Sequence, residues 1–104
     1  MSSPTQRSLK HLRDAGYFVT TVEYWDHFAR KRRDLYGIWD LLCVKPGETL
    51  AVQTTSGSNV SARVKKISES EAIGKCREAG WSCHVHGWRK NAKGRYELRV
   101  VDLS

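Results

Sequence analysis

Asp40 stands inside the run Gly37-Ile38-Trp39-Asp40-Leu41-Leu42, with Trp39 and Leu41 on either side. A carboxylate in apolar surroundings costs free energy unless it has a partner or a metal, so this residue is the first candidate for chemistry. Lys45-Pro46-Gly47-Glu48 is a turn, and Thr49 to Thr55 then reads as a returning strand. In a hairpin, same-face side chains on neighbouring strand ends come within roughly 5 Å of one another, which sets Gln53 and Thr55 opposite Asp40. Two groups of cations flank these positions. Arg30-Lys31-Arg32-Arg33 is an uninterrupted basic run just before the Asp40 segment, where phosphates would approach, and Arg63 and Lys66 follow on a helix able to track a nucleic-acid backbone.

Other conspicuous residues have structural readings. Cys83-His84-Val85-His86 lacks a second ligand pair, so it is not read as a zinc site. Cys43, Cys76 and Cys83 form no even disulfide framework and are read as small core hydrophobes in a reducing compartment. Trp25, Trp39, Trp81 and Trp88 are read as core or sheet-face aromatics.

These residues must be positioned by one modest core, because 104 residues suit a single domain spanning 1–104. Eighteen Lys and Arg against eleven Asp and Glu give a net charge of +7, which favours a polyanionic partner such as DNA or RNA. No apolar run approaches the roughly 20 residues of a membrane span, and Met1-Ser2-Ser3-Pro4 has no leader character, so the expected location is cytoplasmic, in a cell or as a phage-encoded protein.

The elements follow from local signals. Ser3, Pro4 and Gln6 start a helix through a capping box, Leu9, Leu12 and Ala15 give its apolar face, and Gly16 stops it. Phe18 to Trp25 reads as one strand, the Arg30 to Arg33 run as an exposed loop, and Gly37 to Val44 as a mostly buried strand paired with Thr49–Thr55. Val60, Val64 and Ile67 share a helical face. Ser68-Glu69-Ser70-Glu71 is a second capping box for a helix reaching Ala79, and strands Trp81–Trp88 and Tyr96–Leu103 close the chain.

This order, with Gly37-Ile38-Trp39-Asp40 followed by Leu41-Leu42 and with Val52-Gln53-Thr54-Thr55 on the next strand, resembles the PD-(D/E)XK nucleases over nearly the whole chain. It is most similar to the small archaeal and phage Holliday-junction resolvases and the related VRR-NUC type. The resemblance implies an α/β restriction-endonuclease-like core, with a central mixed sheet of four to five strands flanked by helices. It implies a Mg²⁺ or Mn²⁺ cofactor held by Asp40, by Gln53 in the place of the family Glu, and by the backbone carbonyl of Thr54. Thr55 then stands where the family has Lys, and Gln6 where a resolvase-like first helix carries Glu. Glu23 and Asp34 are possible accessory groups, and Lys65 or Lys66 would replace the missing motif lysine.

The expected activity is therefore metal-dependent endonuclease cleavage of branched or structured DNA by a homodimer, with Asp40, Gln53, Thr55 and Lys65 as catalytic candidates. Arg30, Lys31, Arg32, Arg33, Arg63 and Lys66 are the nucleic-acid contacts. Two rivals stand beside it: a catalytically weakened nucleic-acid-binding module of the same fold, and a phage-type protein-interaction factor whose basic face meets an acidic surface.

Overall fold

A computed structural model of the chain describes residues 3–104; the reading of Met1 and Ser2 lies outside them. The described residues form an α/β structure, with three α-helices and a five-stranded mixed sheet. Helix α1 spans Pro4–Asp14. It begins as the sequence dictates: the Ser3 hydroxyl accepts from the Gln6 amide at 3.2 Å, and the Gln6 side chain accepts from the Ser3 amide at 3.3 Å. After it come β1 (Phe18–Thr21), β2 (Tyr24–Asp26), β3 (Lys31–Arg33), β4 (Leu41–Lys45) and β5 (Glu48–Ser56). A short 3-10 turn leads into α2 (Val60–Ser68), then α3 (Glu71–Glu78), β6 (Ser82–Lys90) and β7 (Tyr96–Asp102).

The main sheet runs β1-β4-β5-β6-β7. Only β5 and β6 are parallel, joined by the crossover through α2 and α3, while every other pair is antiparallel. Central β5 is buried from Leu50 to Thr55, and its alternation divides the core into two layers. Leu50 and Val52 pack with Leu12 of α1, together with Leu41, Cys43 and Val19. Ala51 faces the other way, into the cluster of Ile67, Ile73 and Cys76 from α2 and α3 with Cys83 and Val85 of β6. Helix α2 approaches β6 so closely that a Cβ on Gly87 would lie 2.2 Å from Val60 Cγ2.

Four local expectations are corrected. Phe18–Trp25 is not one strand: the Val22 amide bonds to the Asp40 carbonyl at 3.0 Å, and the chain leaves the sheet there to start β2. The basic run is a loop only at Arg30, which lies in the turn 27–30. Lys31–Arg33 pairs with Tyr24–Asp26 as a separate two-stranded ribbon. Gly37-Ile38-Trp39 lies ahead of β4 in a tight turn, closed by mutual Leu35–Trp39 backbone bonds of 2.9 and 3.0 Å and admitted by positive φ at Tyr36 and Gly37 (55° and 76°). Finally, Ser68 ends α2, and Ser70 caps α3 by accepting from the Ala72 amide at 3.2 Å. Among the described residues, no helix is long and apolar enough to cross a membrane.

Candidate metal centre

Two antiparallel strands create the centre. Leu41 pairs with Val52 in the β4–β5 ladder, so the next position outward sets Asp40 across from Gln53, and the Asp40 amide bonds to the Val52 carbonyl at 2.9 Å. Both side chains are buried, Asp40 at 5% exposure and Gln53 at 2%. The Asp40 Oδ2 accepts from the Thr54 amide at 2.8 Å, from the Thr54 hydroxyl at 3.1 Å and from Gln53 Nε2. Thr54 Oγ1 also meets Thr5 Oγ1 of α1 at 2.8 Å, which ties the first helix to the same corner.

Two further carboxylates converge there. Glu23 follows Val22, whose amide is bonded to the Asp40 backbone, and Asp34 opens the turn that returns the chain to Asp40. Glu23, Asp34 and Asp40 each offer an oxygen, and the three lie within 4.8 Å of one another. Like charges this close disfavour full ionisation. Burial, reinforced by the Asp40 charge, pushes the Asp34 carboxyl up to about 6, against the opposing pull of Lys66 and Arg63. Burial also raises Asp40, with the Glu23 charge acting in the same direction and the Thr54 amide opposing. The proximity of the two carboxyls acts in opposite directions, raising Asp34 and lowering Asp40.

Gln53 adds a second anomaly. Its Oε1 is buried and has no hydrogen-bond partner, which ordinarily costs about 1–3 kcal/mol. Three carboxylates and an unpaired amide oxygen form an all-oxygen donor set, which fits a hard divalent cation such as Mg²⁺ or Mn²⁺. The cleft above them is about 450 Å³ and is also lined by Thr5, Thr55 and Arg63.

The sequence candidates separate into distinct places. Asp40, Gln53, Thr54 and Thr55 come together, and Glu23 and Asp34 line the same cleft. Thr54 reaches the cluster through its amide and hydroxyl. Gln6 does not line the cleft: it is exposed and engaged in the α1 capping box, and Thr5 takes the wall position. Lys65 is exposed and lines no part of the cleft, whereas Arg63 does. Lys66 lines an adjoining groove with Lys31, Arg32 and Arg33. Within the ribbon, Arg33 pairs with Asp26 at 2.5 Å, and Arg32 reaches Glu23 at 3.8 Å.

Sequence reasoning missed a buried network on the α1 side. Ser8 Oγ lies 2.9 Å from His86 Nδ1 and accepts from Trp88 Nε1 at 2.8 Å. Burial, with smaller contributions from His11 and His84, pushes His86 down to about 4. The signal available was alternation along β6, which sends His84 and His86 to one face, their rings stacked 6.4 Å apart.

Comparison of the chain with protein-family models, with curated proteins and with solved structures finds no match in any of the three.

Proposed function

We propose that this protein is a divalent-cation-dependent endonuclease with a restriction-endonuclease-like core, acting on branched or structured DNA. The observation that carries the proposal is the meeting of Glu23, Asp34 and Asp40 with the orphaned Gln53 Oε1 in one cleft. Carboxylates at this spacing repel one another without a cation between them, and the amide oxygen lacks a donor that a cation would make unnecessary.

Asp40, Glu23 and Gln53 Oε1 would hold the cation, with Asp40 oriented by the Thr54 amide and hydroxyl. When bound, the cation supplies polarisation of a phosphoryl oxygen and acidification of a water. Asp34, with a carboxyl near 6, is suited to accept a proton from the attacking water near neutral pH. Arg63 offers fixed positive charge to the phosphate, and Lys31 and Lys66 offer contacts to the flanking backbone. Two such subunits in a homodimer would cut two strands symmetrically.

A second reading has its own observation. Among the described residues no lysine lines the cleft, and Arg63 cannot exchange a proton, so the same site would serve a binding module that holds DNA without cutting it. Incubation with four-way junction, flap, duplex and single-stranded DNA in Mg²⁺ or Mn²⁺ separates the two. The nuclease reading predicts cleavage of structured DNA that Asp40→Asn lowers at least about 100-fold. Binding without cleavage in either metal establishes the module instead. Absence of binding at low salt would favour the reading in which the basic face meets an acidic protein surface.

A further inference from the structure

We infer that the β2–β3 ribbon is a probe for unpaired bases, with Phe28 at its tip as the stacking platform. This rests on the nucleic-acid reading above and adds to it the substrate feature that the site selects. The ribbon is bracketed by the cluster: Glu23 immediately precedes Tyr24, and Asp34 immediately follows Arg33. Its strands have three residues each, so the tip stands on the order of 10 Å along the strand from the carboxylates.

The tip is built rather than loose. Asp26 Oδ1 accepts from the Phe28 amide at 2.9 Å and from the Ala29 amide at 3.1 Å, while Asp26 Oδ2 holds the Arg33 guanidinium at 2.5 Å. These bonds draw Asp26 below the ordinary carboxylate range, the Ala29 amide contributing most. Arg30 completes the turn with φ of 52°, in the left-handed region that non-glycine residues seldom occupy. This arrangement fixes a fully exposed Phe28 in water, where an aromatic ring has nothing to bury against. Trp25 is also half exposed and stands across from Arg32 on the ribbon.

Cations interleaved with exposed aromatics are the chemistry of single-stranded nucleic-acid recognition: the charges follow phosphates and the rings stack on bases. Duplex DNA keeps its bases stacked on each other, so Phe28 gains a partner only at a junction, flap or mismatch. The ribbon therefore distinguishes branched from continuous DNA while the carboxylates stay with the backbone.

The test uses the full chain with fluorescein-labelled flap and duplex DNA of equal length, in Ca²⁺ to suppress cleavage. A second flap carries 2-aminopurine at the unpaired position. Wild-type protein is expected to prefer the flap and to change the 2-aminopurine emission. Phe28→Ala should weaken flap binding on the order of tenfold, abolish the emission change, and leave duplex binding within about twofold; Phe28→Trp should restore both signals. An unchanged flap-to-duplex ratio in Phe28→Ala overturns the inference, as does equal weakening on both DNAs. Phe28-dependent capture by anionic vesicles without Phe28-dependent DNA binding also overturns it. Asp40-dependent cleavage that persists in Phe28→Ala together with an unchanged flap-to-duplex ratio would show that the nuclease reading stands although the ribbon's role does not.

Discussion

Gln53 lies across from Asp40 at the open end of the β4–β5 ladder and donates its amide N–H to the Asp40 carboxylate, leaving its own Oε1 buried without a donor. One half of this amide stabilises the charge of Asp40, and the other half is an unused oxygen in a residue that lines the same cleft as Glu23 and Asp34.

Gln53→Glu should therefore destabilise the metal-free protein by about 2–4 kcal/mol, since it removes a donor to a buried carboxylate and adds a fourth negative group. Thermal melts read the loss, and Mn²⁺ should recover most of it, because a cation binds the variant's extra charge. A variant as stable as wild type without metal would mean that the Asp40–Gln53 bond contributes little.

Asp34→Asn should trade activity for stability. A carboxyl raised to about 6 in the folded protein from an ordinary 3.8 favours the protonated form, so its ionisation opposes folding as pH rises from about 4 to above 6. Solvent reduces the effect for this half-buried group to about 1–2 kcal/mol. The variant should melt higher than wild type at pH 7, match it near pH 4, and cleave about 100-fold more slowly. A variant less stable at pH 7 contradicts the electrostatic account.

His86 has the opposite sign to Asp34. Its pKa falls from 6.5 to about 4 on folding, so the neutral ring is favoured; its contribution is intact above pH 6.5 and is lost as pH falls towards 4. The interval corresponds to about 3 kcal/mol. Wild type should lose melting temperature across this window more steeply than His86→Gln, and parallel pH profiles for the two proteins would refute the assignment.

Gly87→Ala should separate α2 from the sheet. The added methyl meets Val60 Cγ2 at 2.2 Å in a packed layer, at a cost of about 1–3 kcal/mol or more. Because α2 carries Arg63 to the cleft, the variant should lose DNA affinity along with melting temperature, whereas Gly74→Ala, an exposed position of α3 where nothing lies within 4 Å, should raise the melting temperature slightly and leave DNA affinity unchanged.

Much of this site was legible from residue order. The Pro46-Gly47 turn sets the β4–β5 register, and that register alone places Asp40 against Gln53. The ribbon was not legible because Trp25, Lys31 and Arg32 are exposed and carry no apolar alternation; its order comes from Asp26 accepting bonds from Phe28, Ala29 and Arg33. Ile38 and Trp39 misled in the other direction, since their burial suits a strand and a tucked turn equally. That Arg63 lines the cleft and Lys65 does not is a matter of helix phase. At about 100° per residue, Arg63 sits about 60° around α2 from buried Val60 and Lys65 about 140°, which leaves Arg63 beside the core-facing stripe. Glu23 and Asp34 converge only because the ribbon leaves and returns at one point, a relationship no local pattern encodes.

The central claim is that Glu23, Asp40 and Gln53 hold a divalent cation, with Asp34 beside it. Calorimetric titration of Mn²⁺ into the DNA-free protein at pH 7.5 tests it most directly. The account predicts one saturable site, weakened at least about tenfold by Asp40→Asn. No heat of binding at millimolar Mn²⁺, or equal binding by wild type and Asp40→Asn, would contradict it.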